Sequence, residues 1–332
     1  GTSGATPAPA AAPVAEAGEA SASTIFERLN DRDTGPPLFL VPGAGMQSAG
    51  FRALALLLPV PVYAASWPRG LRPRERWPAT LAELAGLLIG EARELRPAGA
   101  PLLLAGHSFG ASVCLEMARQ AKASGEAPTL LALLDPRTLS PQRSDFGAVF
   151  QAVGLAETLA LLAAAAPDGQ RYAEQYEAVA ALPDTAARNA ALKKTLAPGM
   201  LVSLEHVSET FQWYAGLLGE ADGTVAEAGL HYAGTTVLLR AAETWREPGK
   251  ESASDGATGP ASAATMVREF SAQVFQDDAT VLERLPPPSR ICSVPGGHFA
   301  MLQEPHVAIT SLELCHALVS AGATVGDAAG RA

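Results

Sequence analysis

Gly106, Ser108 and Gly110 follow the apolar run Leu102–Ala105 and lead into a stretch with helical periodicity. That arrangement makes Ser108 the candidate nucleophile. A serine hydroxyl attacks a carbonyl at neutral pH only if a base removes its proton and an acid holds that base in the right tautomer. The chemistry to look for is therefore acyl transfer through a covalent intermediate. In a G-x-S-x-G turn the serine sits on a sharp strand-to-helix bend. A Cβ at Gly106 or Gly110 would crowd the serine's backbone, and the strain holds Oγ out of the sheet.

The base must come from His107, His206, His231, His298, His306 or His316. Only His298 stands in Val-Pro-Gly-Gly-His-Phe, where a strand has ended and a glycine pair lets a loop swing over the sheet edge. In the chain order serine, acid, histidine this is the expected place for the base. His306 and His316 fall on the following helix and read as surface or core polar groups. Two residues compete for the acid. Asp135 closes Leu-Leu-Ala-Leu-Leu-Asp before Pro136, whose ring is expected to keep Asp135 extended. Glu243 closes Val-Leu-Leu-Arg-Ala-Ala-Glu one strand later. The shorter side chain directly at a strand terminus favours Asp135 and leaves Glu243 as a loop carboxylate. An oxyanion hole needs two backbone donors, one just after the nucleophile and one from a glycine-rich early loop. Phe109 supplies the first. Gly43 and Gly45 allow a bend that turns the amide of Ala44 toward the pocket.

These residues need a scaffold, and the apolar pattern outlines one. Short runs at Leu38–Val41, Val62–Ala65, Leu102–Ala105, Leu130–Leu134, Thr235–Leu239 and Ile291–Val294 read as strands. Helical periodicity covers Met46–Leu58, Ala79–Leu95, Ala111–Ala123, Met266–Leu282 and Pro305–Val319. The alternation predicts an α/β fold, a mostly parallel sheet flanked by helices on both faces, and with the elbow it resembles an α/β-hydrolase. Residues 140–228 break the pattern, with helix-like sets Phe146, Val149, Phe150, Val153 and Leu201, Leu204, Phe211, Leu218. They are expected as a helical lid insertion, with an ordinary helical layer of the core as the alternative. The division expected is a flexible Ala/Pro-rich linker at 1–23, hydrolase core at 24–139 and 229–322 around the lid, a surface loop at 247–264 and a flexible tail at 323–332.

Composition narrows the function. The chain has 332 residues, a net charge of −10 and 48% hydrophobic residues. It shows no sustained basic stripe, so a nucleic-acid surface is not expected. Cys114, Cys292 and Cys315 sit in apolar segments without metal or disulfide spacing and read as reduced thiols. No stretch reaches transmembrane length and no signal peptide is seen, so a cytoplasmic or organellar location away from membranes is expected. Starting at Gly1 rather than Met, the chain reads as a domain cut from a longer polypeptide.

Several segments together resemble the thioesterase domains that end fatty acid synthases, polyketide synthases and nonribosomal peptide synthetases. They are Ser-Thr-Ile-Phe-Glu-Arg-Leu-Asn from Ser23, Pro-Leu-Phe-Leu-Val-Pro-Gly-Ala-Gly, the elbow Gly-His-Ser-Phe-Gly-Ala-Ser-Val-Cys-Leu-Glu-Met-Ala, Asp135, and Val-Pro-Gly-Gly-His-Phe-Ala-Met-Leu around His298. The likeness spans roughly Ser23 to Val319 and is weakest in the lid. It implies an acyl thioester delivered on the phosphopantetheine arm of an acyl carrier protein by upstream synthase domains, with no cofactor or metal of the domain's own. Transfer to Ser108 would be followed by release to water or cyclisation by an internal nucleophile. It also implies Asp135 rather than Glu243 as the acid. The 247–264 loop and the Ala-rich lid depart from the family and leave acyl length open. A free-standing esterase or lipase, or a catalytically silent hydrolase-like binding module, are the alternatives. Arg69, Arg72, Arg74 and Arg76, within Trp67–Trp77, read first as a solvated loop and second as a docking patch for an acidic carrier protein.

Overall fold

Side chains that alternate along each strand split the apolar residues between two faces. Leu38, Leu40, Leu103, Ala105, Leu130, Leu134 and Leu239 fall in one buried cluster, and Phe39, Val41, Leu104, Leu131, Leu133 and Leu238 in another. The computed structural model describes residues 25–44, 46–66, 77–136, 154–165, 169–227, 233–242 and 289–323. Within them the strands are β1 (Phe26–Arg28), β2 (Leu38–Val41), β3 (Val62–Ala65), β4 (Leu103–His107), β5 (Leu130–Leu134), β6 (Thr235–Ala241) and β7 (Ser289–Val294). They form one sheet in the order β1-β3-β2-β4-β5-β6-β7. Only β1 runs antiparallel to its neighbour. Strands buried on both faces must read as continuous apolar runs, which is why the central ones stand out in the sequence.

Helices α1 (Arg52–Leu57), α2 (Leu81–Leu95) and α3 (Phe109–Ala123) follow β2, β3 and β4 in turn. The helix α2 begins where Thr80 accepts the Glu83 amide at 3.0 Å, the start of a capping-box pattern. Its Leu84 and Leu88 pack with Val113 and Met117 of α3 on one face of the sheet. Leu54 of α1 covers the other face. Each fully buried leucine stabilises the layer by about 1.5–3 kcal/mol.

Two local expectations change. The helix expected over Met46–Leu58 is a 3-10 turn at Ser48–Phe51 followed by α1, because Met46 donates back to the Gly43 carbonyl at 3.1 Å and Gln47 is extended. The strand β1 went unread because three residues carry no period. It is held by Glu91 of α2, whose carboxylate accepts the Ile25 and Phe26 amides at 2.9 and 2.8 Å.

Between β5 and β6 come α4 (Leu155–Ala165), α5 (Gly169–Ala180), α6 (Thr185–Thr195) and α7 (Pro198–Glu227). The first three build an apolar cluster of their own with Leu155, Leu159, Tyr176, Val179 and Leu192, joined by Leu204 of α7. Further along α7, Phe211, Tyr214 and Leu217 enter the cluster on the sheet. At 30 residues this helix is about 45 Å long and serves both bodies. The sets Leu201, Leu204 and Phe211 thus lie on one helix, whereas Phe146, Val149, Phe150 and Val153 fall outside the described residues. So do the 1–23 linker, the 247–264 loop and Met266–Leu282. The last helix, α8 (Val307–Ser320), places Leu314 and Leu318 against the face that α1 covers. Ala323, expected to open the tail, is buried there as well.

Candidate active site

The elbow forms where β4 meets α3. Ser108 has φ 53 and ψ −118, a conformation few non-glycine residues adopt, and its amide donates to the Leu134 carbonyl of β5 at 2.9 Å. Glycine is required on both sides, but not for contact with the serine itself. A Cβ on Gly106 would lie 2.2 Å from the Gly110 carbonyl oxygen, and one on Gly110 would lie 2.1 Å from the Val41 carbonyl oxygen. The helix start is therefore pressed against β2, and this close backbone approach drives the bend. Gly43 completes the contact, since a Cβ there would come within 2.9 Å of the Ser108 Cβ. The loop carrying Ala44 thus passes directly over the nucleophile.

Phe109 opens α3, so its amide is among the first-turn N–H groups that have no partner within a helix. Its ring is fixed by Tyr214 of α7, edge-on at 4.4 Å. Trp213 beside it donates to the Pro78 carbonyl at 2.7 Å and packs on Trp77. The inserted helices are therefore anchored to the elbow and to the segment before α2. Sequence pattern could not reveal this, because Tyr214 lies 105 residues from Phe109 in a helix whose facing surface is set by packing. Gly45, the arginines at 69, 72, 74 and 76, and Glu243 lie outside the described residues.

Asp135 and His298 meet as expected, 163 residues apart in sequence, with His298 Nδ1 at 2.7 Å from Asp135 Oδ2. His298 is 2% exposed and sits just after the turn that Gly296 makes at φ 87. Asp135 is not extended as its proline neighbour suggested. Its φ is 41, in the left-handed region that aspartate tolerates better than most residues. Its amide still donates to the Leu239 carbonyl at 2.7 Å, so the chain completes its ladder bond and then turns sharply, bringing the carboxylate toward His298. The other carboxylate oxygen accepts the Ala241 amide at 3.3 Å and lies 3.6 Å from Arg240 Nη1. Arg240 also donates to the Pro136 carbonyl at 2.9 Å, clamping the turn. Burial works against the ionised carboxylate. The hydrogen bond and charge of His298, followed by the Arg240 guanidinium, outweigh it and hold Asp135 below the usual aspartate range.

His107, not singled out by the sequence, is fully buried and immediately precedes Ser108. Its Nε2 lies 2.8 Å from the His298 carbonyl oxygen, and the two ring centroids are 4.4 Å apart with the planes tilted by 32°. Desolvation first, then the charge of His298, lower its pKa from 6.5 to about 3. The unfolded chain would bind a proton at this histidine below pH 6.5 while the folded one refuses it until about pH 3. The stability contribution is thus complete above pH 6.5 and is lost as pH falls toward 3. Asp135, depressed from 3.8, adds its own loss only below that value. Denaturant titrations from pH 7 to 4 should show native stability falling by up to about 1.4 kcal/mol per pH unit more than in His107→Gln. Parallel curves would show that His107 carries no such linkage.

Among the described residues no group of three or more His, Cys, Asp or Glu side chains could hold a metal ion. No helix among them is long and apolar enough to cross a membrane.

Comparison with known proteins shows what the chain is similar to. The family model for the thioesterase domain matches residues 36–198. A non-reducing polyketide synthase from Pseudevernia furfuracea is 37% identical over 110 residues, which is 32% of this chain and 5% of that protein. A dimodular nonribosomal peptide synthase from Bacillus subtilis strain 168 is 35% identical over 117 residues, 35% of this chain and again 5% of the relative. This chain therefore spans only a small part of either synthase. Among solved structures, the NocB thioesterase domain from the nocardicin cluster has a TM-score of 0.51 at 24% identity, covering 90% of this chain and 100% of that one. The four-domain nonribosomal peptide synthetase AB3403 gives 0.55 at 18% identity over 88% of this chain and 20% of that one. At such identities the likeness shows the fold, that of an α/β-hydrolase.

Proposed function

We propose that this chain, whose residues 36–198 match the thioesterase-domain model, releases an acyl chain from the phosphopantetheine arm of a carrier protein through an acyl-enzyme on Ser108. The observations that carry this reading are the buried 2.7 Å contact of Asp135 with His298 and the strained elbow on which Ser108 is held. Asp135 fixes the proton on His298 Nδ1, which makes Nε2 the nitrogen that acts as base. Nε2 takes the Ser108 proton as Oγ attacks the thioester carbon, and the carbonyl electrons move onto oxygen. The amides of Ala44 and Phe109 donate to that oxyanion. Collapse of the intermediate breaks the C–S bond, and the imidazolium returns its proton to the departing thiolate. Water or a nucleophile within the acyl chain then repeats the sequence against the Ser108 ester, giving a free acid or a ring. The carrier protein and upstream synthase domains are the proposed partners, in keeping with the multidomain relatives.

The test is to incubate the chain with acyl thioesters of graded length and with the matching oxyesters, identifying products by mass. Higher kcat/KM for thioesters is the expected outcome. A preference for oxyesters would instead indicate a free-standing esterase. No turnover of either, with no covalent adduct on serine, would indicate a silent binding module.

A further inference from the structure

We propose that His107 is a positioning residue that ties the base to the nucleophile by donating its Nε2–H to the backbone carbonyl of His298. The proposal rests on the acyl-enzyme reading above and adds a histidine-to-backbone link to the serine, histidine and aspartate. Strand β4 delivers His107 and Ser108 as consecutive residues, so a ring bonded to the His298 main chain sets where the base stands relative to Oγ. A carbonyl oxygen can only accept, so at 2.8 Å Nε2 must carry the hydrogen. The opposite nitrogen, Nδ1, is buried without a hydrogen-bond partner among the described residues and faces Gly43, where a Cβ would come within 3.1 Å. With Nε2 protonated and Nδ1 bare, His107 is the neutral tautomer.

Neutrality matters for the reaction itself. His298 becomes a cation when it takes the serine proton, and a second cation with its ring centroid 4.4 Å away would oppose that step. The ionisable groups that face His107 are His298 and Asp135, with Arg240 behind the carboxylate. Burial leaves His107 with a pKa of about 3, so it carries no charge at neutral pH. Its position inside the elbow motif could have drawn attention to it in sequence, but its partner lies 191 residues away.

The experiment compares His107→Gln, whose terminal amide can still donate to the carbonyl, with His107→Phe, which keeps a ring and loses the donor. The readouts are thioester kcat and KM and the rate at which a fluorophosphonate labels Ser108. In His107→Phe, kcat and the labelling rate should fall by about 10- to 100-fold with KM within twofold, since a small displacement of a catalytic group has costs of that order. His107→Gln should recover most of the loss. Full activity in both variants, or equal losses that follow reduced stability, would overturn the proposal. Should His107→Phe fail to fold, ¹⁵N-detected imidazole spectra of the wild-type chain decide the matter. Expected is a neutral Nε2–H tautomer at His107 that does not titrate between pH 8 and 5. Titration in that range, or a proton on Nδ1, removes the donor on which the proposal depends. A wild-type chain that is neither labelled nor active would count against the acyl-enzyme reading instead, and spectra showing the Nε2–H tautomer would leave the hydrogen bond standing.

Discussion

Ser108→Ala is expected to lower thioester turnover by about 10⁵- to 10⁶-fold, because nucleophile and base act as a unit and removing one forfeits most of what both provide. The fold should survive. Alanine keeps the Cβ, and the elbow's shape comes from the Gly106, Gly110 and Val41 backbone contacts rather than from the hydroxyl. Ser108 is also only partly buried, so no core packing depends on its Oγ. Unfolding free energies of the two proteins should therefore agree within about 0.5 kcal/mol, the range for a change outside the core. Intact mass after exposure to a phosphonate probe gives the direct check. Wild-type chain should gain one adduct and the variant none. An adduct on the alanine variant would move the nucleophile elsewhere.

The second large effect is expected at the acid. In Asp135→Asn the amide can offer an N–H to His298 Nδ1, which favours the imidazole tautomer with its proton on Nε2. That tautomer cannot accept the serine proton, and turnover should drop by about 10²- to 10⁴-fold. Substituting Asp135 also leaves Arg240 facing a neutral group in a site where both side chains are largely buried. Removing one partner from such a pair is destabilising, so activity must be normalised to folded protein. Glu243→Gln should change turnover little. The reverse ranking, with Glu243→Gln the crippled variant, would make Glu243 the acid despite the 2.7 Å contact between Asp135 and His298.

The candidate nucleophile, the candidate base and the alternating framework could each be read from the sequence because each is a local demand. Gly106 and Gly110 are required by backbone approaches close to Ser108, and His298 stands in a glycine turn just beyond the last strand. The central strands announce themselves because burial on both faces demands unbroken apolar runs. Sequence could rank Asp135 over Glu243 but could not bring either to the base. That took the turn at φ 41, where the proline neighbour had suggested an extended residue. The links from His107 to His298, from Arg240 to Asp135, and from Tyr214 to Phe109 likewise belong to tertiary structure alone. Periodicity and steric rules reach only a few residues along the chain. The partner of a buried polar or aromatic side chain is chosen by which strands and helices the sheet order brings together.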